Sequence, residues 1–447
     1  YTTFIGADGQ SNGSEPASTV NGNPVVEADW DGTDWQSGGA YTYGNLWDTD
    51  TAGVGMYMAP GSQTVTIGVN GSPDCLTWVA QVFSISNGSL DTDGDKLLDG
   101  WEANGHMGVN LPAMGANPFH KDIFVEHDYM VGAHSHMPST TVLDRVRSSF
   151  AAAPVSNPDG RNGIKLHNDY GQFPYYGGNS LQEQQDISAD CGQLWAGFDT
   201  IKNANFNAAR QDIFHYVVWA HDLCPAYGST SGISRGIPPS DFIASLGSWP
   251  VYGREDARTG TYQHELGHNL GLTHGGNAGD HENYKPNHLS LMNYSFQVIG
   301  VWRSGARRWD YTRMRIYSLN ENRLNEFQGL NGSGNLTPYG TRWYCPNGTL
   351  RDDNTANTNV DWTCGGVIQS NVRVDINNSG NRSVLGTVRN QWASLIYNGG
   401  SIGPGVDNRT FLTSPDAMSD VPCLSYDDFK EDGIGDGTVN GLDDHDH

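Results

Sequence analysis

The stretch from His264 to His274 reads His-Glu-Leu-Gly-His-Asn-Leu-Gly-Leu-Thr-His, and it restricts the local fold more than any other part of this 447-residue chain. His264 and His268 are four residues apart, so a helix through them puts both imidazoles on one face at chelating distance. Glu265 then lies beside a bound metal without being forced to ligate it, the position of a base. Gly271 falls where such a helix has to stop and turn sharply, a conformation at positive φ that glycine adopts readily, and His274 can return as a third nitrogen ligand. Three histidines leave one coordination position open, which marks a catalytic rather than a structural zinc ion.

Downstream, the segment KPNHLSLMNYSF carries Met292 in a short tight stretch, with Tyr294 two residues later. Together the two segments resemble the metzincin metalloproteases, whose HExxHxxGxxH motif is followed by a Met-containing turn beneath the zinc. The resemblance implies a catalytic domain with a mixed twisted sheet and an active-site helix. It implies His264, His268 and His274 as ligands of one catalytic Zn2+, and Glu265 as general base and acid. Gly271 and Met292 become structural residues, Met292 as the apolar floor, and Tyr294 a phenol near the metal that hydrogen-bonds the oxyanion. The phrase HELGHNLG is similar to the adamalysin branch, yet Gly275 stands where that branch has Asp; a Tyr two residues after the Met is shared by the astacin, serralysin and pappalysin branches, so the subfamily stays open. KDIFVEHDYM and KPNHLSLMNYSFQ are similar to uncharacterised secreted bacterial proteins of metzincin type.

The function implied is that of a secreted zinc-dependent endopeptidase, hydrolysing peptide bonds of a protein or peptide substrate with a zinc-activated water and Glu265 as base. DFIASLG is read as the edge strand on which an extended peptide lies antiparallel. The rival reading is a calcium-dependent surface or binding protein on a degenerate protease fold; Glu265 together with all three histidines favours the enzyme.

A second dense motif, DTDGDKLLDGWE, sets Asp91, Asp93, Asp95, the Leu97 carbonyl, Asp99 and Glu102 at the ligand positions of an EF-hand-type Ca2+ loop. Lys96 occupies the place where such loops have glycine for their sharp turn. A further calcium candidate, DGIGDGTVNGLD, offers Asp432, Asp436, Asn440 and Asp443 but has Ile434 at a ligand position.

These motifs divide a multidomain chain. Residues 1–88 are rich in Val, Ile, Thr and aromatics in short runs broken by Gly, Asn and Pro, which predicts an all-β sandwich. Trp30, Trp35, Tyr41, Tyr43 and Trp47 are read as its packing, with a glycan-stacking face as the alternative. Residues 89–117 form the calcium-binding linker. From 118 to 447 apolar strands alternate with helical stretches, an α/β order, with a long irregular C-terminal part over 276–447. The SxxE pattern at Ser318 and Glu321 predicts a helix to Gln328, and RNQWASLIY a late one.

The net charge of −25 makes nucleic acid and anionic membrane poor partners and divalent cations good ones. No apolar run is long enough to span a bilayer. The six cysteines form no CxxC pair; an even count fits an oxidised, secreted protein, with Cys191–Cys224 and Cys345–Cys364 the nearest pairs in sequence and Cys75 a disulfide partner rather than a latency thiol. His134 and His136 could bind a second metal but are read as solvated loop residues. His127, His167, His215 and His221 are read as satisfied structural residues, and His445 and His447 as adventitious binders.

Overall fold

A computed structural model describes residues 2–7, 17–25, 47–58, 64–69, 77–83, 90–249, 255–332, 334–404 and 424–426. The chain divides into two compact units, Tyr1–Asn87 and Gly88–His447. Trp30, Trp35, Tyr41, Tyr43, Cys75, Cys423 and the calcium candidate at Asp432, Asp436, Asn440 and Asp443 lie outside the described residues.

In the first unit the strands are β1 (Thr2–Ala7), β2 (Thr19–Val20), β3 (Asn23–Pro24), β4 (Trp47–Ala52), β5 (Ile67–Gly68) and β6 (Thr77–Phe83). They make two antiparallel sheets, β4-β1-β6 and β3-β2-β5. Phe4, Val20, Val25, Ala52 and Val54, drawn from both, form one small buried core.

The second unit begins with the acidic segment and two short helices, α1 (Asp99–Asn104) and α2 (Leu111–Met114). Residues 90–117, expected to be a linker, belong to this unit. The reason is apolar: Leu97, Val109, Leu111 and Met114 are buried with Phe124, Ile213, Phe214 and Ile402.

Strands and helices then alternate: β7 (Asp122–Val131), α3 (Thr140–Ala151), β8 (Lys165–Asp169), β9 (Ser180–Gln182), α4 (Leu194–Asn205), β10 (Phe214–Ala220), β11 (Gly232–Ser234), β12 (Asp241–Ser245) and α5 (Glu255–Asn269). They form one sheet in the order β11-β12-β10-β7-β8, with β9 also paired to β7. All neighbours run parallel except β11, which is antiparallel to β12. The period of two along β10 sends Val217 and Trp219 into a core with α3 and α5, and Tyr216, Val218 and Ala220 into one with α4. Helices therefore cover both faces of a mostly parallel sheet. Val142, Val146 and Phe150 of α3 recur every fourth residue and are fully buried, behind an N-cap in which Ser139 Oγ accepts from the Val142 N–H.

Two helix expectations fail in the C-terminal part. Residues 318–328 form short strand pairs in place of a helix, Leu319–Asn320 with Val384–Leu385 and Leu324–Asn325 with Ser370–Val372. Glu321 does not turn back on a local cap; its buried carboxylate accepts from the Ile376 and Ser383 N–H groups at 2.7 Å each. RNQWASLIY contains only a single 3-10 turn at Trp392–Ser394, with Trp392 sunk beside Phe150 and Tyr311. This part has its own core around Phe296, Trp343 and Trp362. The disulfides Cys191–Cys224 and Cys345–Cys364 are both formed. No helix of the described residues is long and apolar enough to cross a membrane.

Candidate active site

Helix α5 carries His264, Glu265 and His268, all buried. It ends in a Schellman turn: the Leu272 N–H bonds the Gly267 carbonyl at 2.9 Å, the Gly271 N–H bonds the His268 carbonyl at 2.9 Å, and Gly271 sits at φ +82°. That reversal does two things. It aims the Leu272 carbonyl at His268 Nδ1, 2.8 Å away, and it returns the chain so that His274 faces the helix.

The three Nε2 atoms converge, His264 to His274 at 3.2 Å, His268 to His264 at 3.1 Å and His268 to His274 at 3.1 Å. His264 Nδ1 lies 2.7 Å from the Leu291 carbonyl, and His268 Nδ1 has the Leu272 carbonyl. A carbonyl can only accept, so both Nδ1 atoms carry the proton and both Nε2 atoms present lone pairs. Burial also pushes all three imidazoles down from their ordinary range, His268 to about 4, which keeps them neutral. Lone pairs this close in a water-poor site repel unless a cation lies between them. The spacing matches a tetrahedral ion with nitrogen ligands at about 2.0–2.1 Å, so the donor set fits zinc.

Around this triad the chain is packed to close tolerances. Met292 is fully buried beneath α5, and a Cβ on Gly267 would collide with its Sδ and come within 3.0 Å of the Tyr311 hydroxyl. The Met292 turn is held by Leu291 N–H to the Asp310 carbonyl at 3.0 Å and by Asn293 Nδ2 to the Lys285 and His288 carbonyls. The Tyr294 ring lies 4.7 Å from His274 and 5.8 Å from His264 between centroids. Gly275 is required sterically because the Asp280 carboxylate occupies the space of its Cβ. Asp280 pairs with the buried Lys285 Nζ at 2.7 Å.

Two participants carry no obvious sequence signal. His288 Nδ1 donates to the His274 carbonyl at 2.7 Å and so fixes the backbone of the third histidine. Gly232, in β11, leaves room for the Glu265 carboxylate: a Cβ there would stand 2.7 Å from Glu265 Oε1. DFIASLG, expected at the sheet edge, is β12 and lies between β10 and β11. The edge beside α5 is β11, because the chain folds back after Tyr227 to add one antiparallel strand. Asn269 fastens α5 to this edge, its Nδ2 donating to Ser234 Oγ at 2.9 Å. Just before β11, residues 229–231 are bonded by Leu424 and Tyr426, with the Ser231 N–H on the Leu424 carbonyl at 3.0 Å.

The acidic segment gathers Asp91, Asp93 and Asp95 into one cluster and Asp95, Glu102 and Asp122 into another. Asp122 lies outside the motif and carries no sequence signal for it. Asp99 turns instead to Thr92, accepting from its N–H at 2.8 Å and its hydroxyl at 2.7 Å. Lys96 takes the turn position itself, at φ +76°. Neither Glu102 carboxylate oxygen, nor Asp93 Oδ2, has a hydrogen-bond partner among the described residues. Burial first, then the neighbouring Asp95 and Asp93, push the Glu102 carboxyl up to about 10; burial chiefly raises Asp93 to about 7. Orphaned buried oxygens in an all-carboxylate set fit a hard divalent cation.

His134 and His136, expected to be solvated, stand with Glu183 and His221. The other expected structural histidines are satisfied: His127 by Asn168 and Trp219, His167 by Asp122 and Tyr175, and His215 by Asn269.

No family model matches the chain, and no curated protein matches it. Among solved structures it is similar to the crystal structure of archaemetzincin from Methanopyrus kandleri, at 15% identity and a TM-score of 0.25, over 40% of this chain and 84% of that one.

Proposed function

We propose that this chain is a zinc-dependent endopeptidase that works outside the cell. The observation that carries the reading is the trio of neutral imidazoles with Nε2 atoms 3.1–3.2 Å apart, two of them locked in tautomer by backbone carbonyls. His264, His268 and His274 would hold the ion, which when bound polarises a carbonyl and brings the pKa of water from 15.7 toward about 7.

The chain's own residues do the rest. Glu265 accepts the proton of the attacking water and returns it to the departing amine, so the carboxylate is regenerated in each turnover. The Tyr294 phenol donates to the oxygen that gains charge. An extended substrate adds to β11, where Gly232 brings backbone and base together. The turn of Met292 supports the helix from below.

The acidic segment takes Ca2+ through Asp91, Asp93, Asp95, Glu102 and Asp122. Its role is stabilising, since it joins residues 90–117 to the start of β7: the Asp122 N–H bonds Asp95 Oδ2 at 2.7 Å. Two disulfides and a strongly acidic surface suit an extracellular setting.

The testing experiment is cleavage of a proteome-derived peptide library by the full chain. Activity should vanish with a zinc chelator and return with added zinc. Cleavage that survives complete zinc removal, or no cleavage by a zinc-loaded folded protein, overturns the proposal.

A further inference from the structure

We propose that His134, His136, His221 and Glu183 form a second transition-metal site, closed by four protein ligands and suited to zinc. It is separate from the His264, His268 and His274 triad and shares no residue with it.

The topology that builds it is simple. Strands β7, β9 and β10 are parallel, so they end on the same side of the sheet. Glu183 is the first residue after β9, His221 the first after β10, and His134 and His136 follow β7 directly. The chain after β7 folds back at once, with the Gly132 N–H on the His134 carbonyl at 3.0 Å and the His136 N–H on the Met130 carbonyl at 2.9 Å. Alternate residues of such an extended segment project to one side, and the two rings lie 4.8 Å apart.

The ligand atoms are already gathered. Glu183 Oε1 is 2.9 Å from His136 Nε2 and 3.1 Å from His221 Nδ1, and one donor atom from each of the four residues lies within 4.8 Å of every other. A tetrahedral zinc ion with ligands near 2.0–2.1 Å needs donor separations of about 3.4 Å, so small side-chain rotations complete the set. Glu183 Oε2 is held separately by the Ala133 N–H at 3.2 Å, which orients the carboxylate.

Backbone choices nearby keep the space open. A Cβ on Gly132 would overlap the Glu183 carboxylate, and one on Gly247 would come 2.6 Å from His221 Cγ. Three imidazoles and one carboxylate are a borderline donor set, right for zinc and its transition-metal neighbours and wrong for Ca2+ or Mg2+. With four protein ligands no position remains for substrate, so the ion's work is to pin three chain segments at one end of the sheet.

The test is metal content of the full chain after equilibration with zinc and removal of loosely held ions. The parent should hold two zinc equivalents. His134→Gln/His136→Gln should hold one, His264→Gln/His268→Gln should hold one, and the quadruple variant none. The two pairs separate this proposal from the enzymatic reading, because each empties a different site. If the His134→Gln/His136→Gln variant fails to fold, His134→Gln alone is read by competition with a chromophoric chelator; losing one ligand should weaken one of the two zinc ions at least about tenfold. A His134→Gln/His136→Gln protein holding as much zinc as the parent, a parent holding no zinc beyond what His264 and His268 account for, or unchanged affinity in His134→Gln overturns the proposal and leaves Glu183 as a hydrogen-bond acceptor between two histidines.

Discussion

Gly267 lies directly over Met292: α5 can pass above the buried thioether only because residue 267 has no side chain. Gly267 sits between the Glu265 and His268 positions of the helix, so this contact sets the height of the histidine-bearing face over Met292. Gly267→Ala gains about 1 kcal/mol of helix propensity and loses about 1–3 kcal/mol to overpacking. A net loss of up to about 2 kcal/mol in denaturant unfolding is expected. A variant more stable than the parent would show that Met292 yields freely and does not fix the helix.

Gly232 bears on Glu265 in the same way. Gly232→Ala puts a methyl group 2.7 Å from both Glu265 Oε1 and the Ile243 carbonyl. The carboxylate is the softer of the two and should move. A shift of about 1 Å at a catalytic group costs on the order of 10²-fold in rate, so kcat should fall steeply with zinc content unchanged. Retained kcat would remove β11 from the account of the site.

Calcium removal should make stability depend on pH with a definite sign. The folded-state carboxyls of Glu102 (about 10) and Asp93 (about 7) lie above their ordinary values of 4.5 and 3.8. For groups raised in this way the unfolded chain ionises first, so the contribution to stability is whole below pH of about 4 and is lost progressively as pH rises toward those folded values. In a calcium chelator that spares zinc, the melting temperature should therefore drop between pH 5 and pH 8. Added Ca2+ should restore it at pH 8, because the cation favours the ionised carboxylates. Equal melting at pH 8 with and without Ca2+ would exclude the acidic segment as a stabilising site.

What could be read from sequence was local. The triad lies within eleven consecutive residues, and helix periodicity plus one glycine turn are enough to assemble it. The acidic segment was legible for the same reason, except for Asp99, which turns to Thr92, and Asp122, which joins only because β7 starts beside Asp95. His221 and Glu183 could not be associated with His134 and His136, since parallel strands bring together residues that crossover connections keep far apart in sequence. Glu321 misled because a capping pattern and a buried carboxylate serving distant N–H groups look alike until Ile376 and Ser383 are in place. DFIASLG reads as an edge strand from sequence because its apolar run does not reveal that the short strand before it, Gly232–Ser234, covers one side.

In the proposed enzyme the three histidines hold zinc while Glu265 moves protons, and one paired measurement addresses both roles. Zinc content and peptide-cleavage rate are determined on the same preparations of the parent and of Glu265→Ala. Glu265 is adjacent to the triad in sequence but is not one of its converging nitrogens, so the variant should keep its zinc at that site and lose activity by about 10²–10⁴-fold. A folded, zinc-loaded Glu265→Ala protein that cleaves peptides at close to the parent rate would contradict the account.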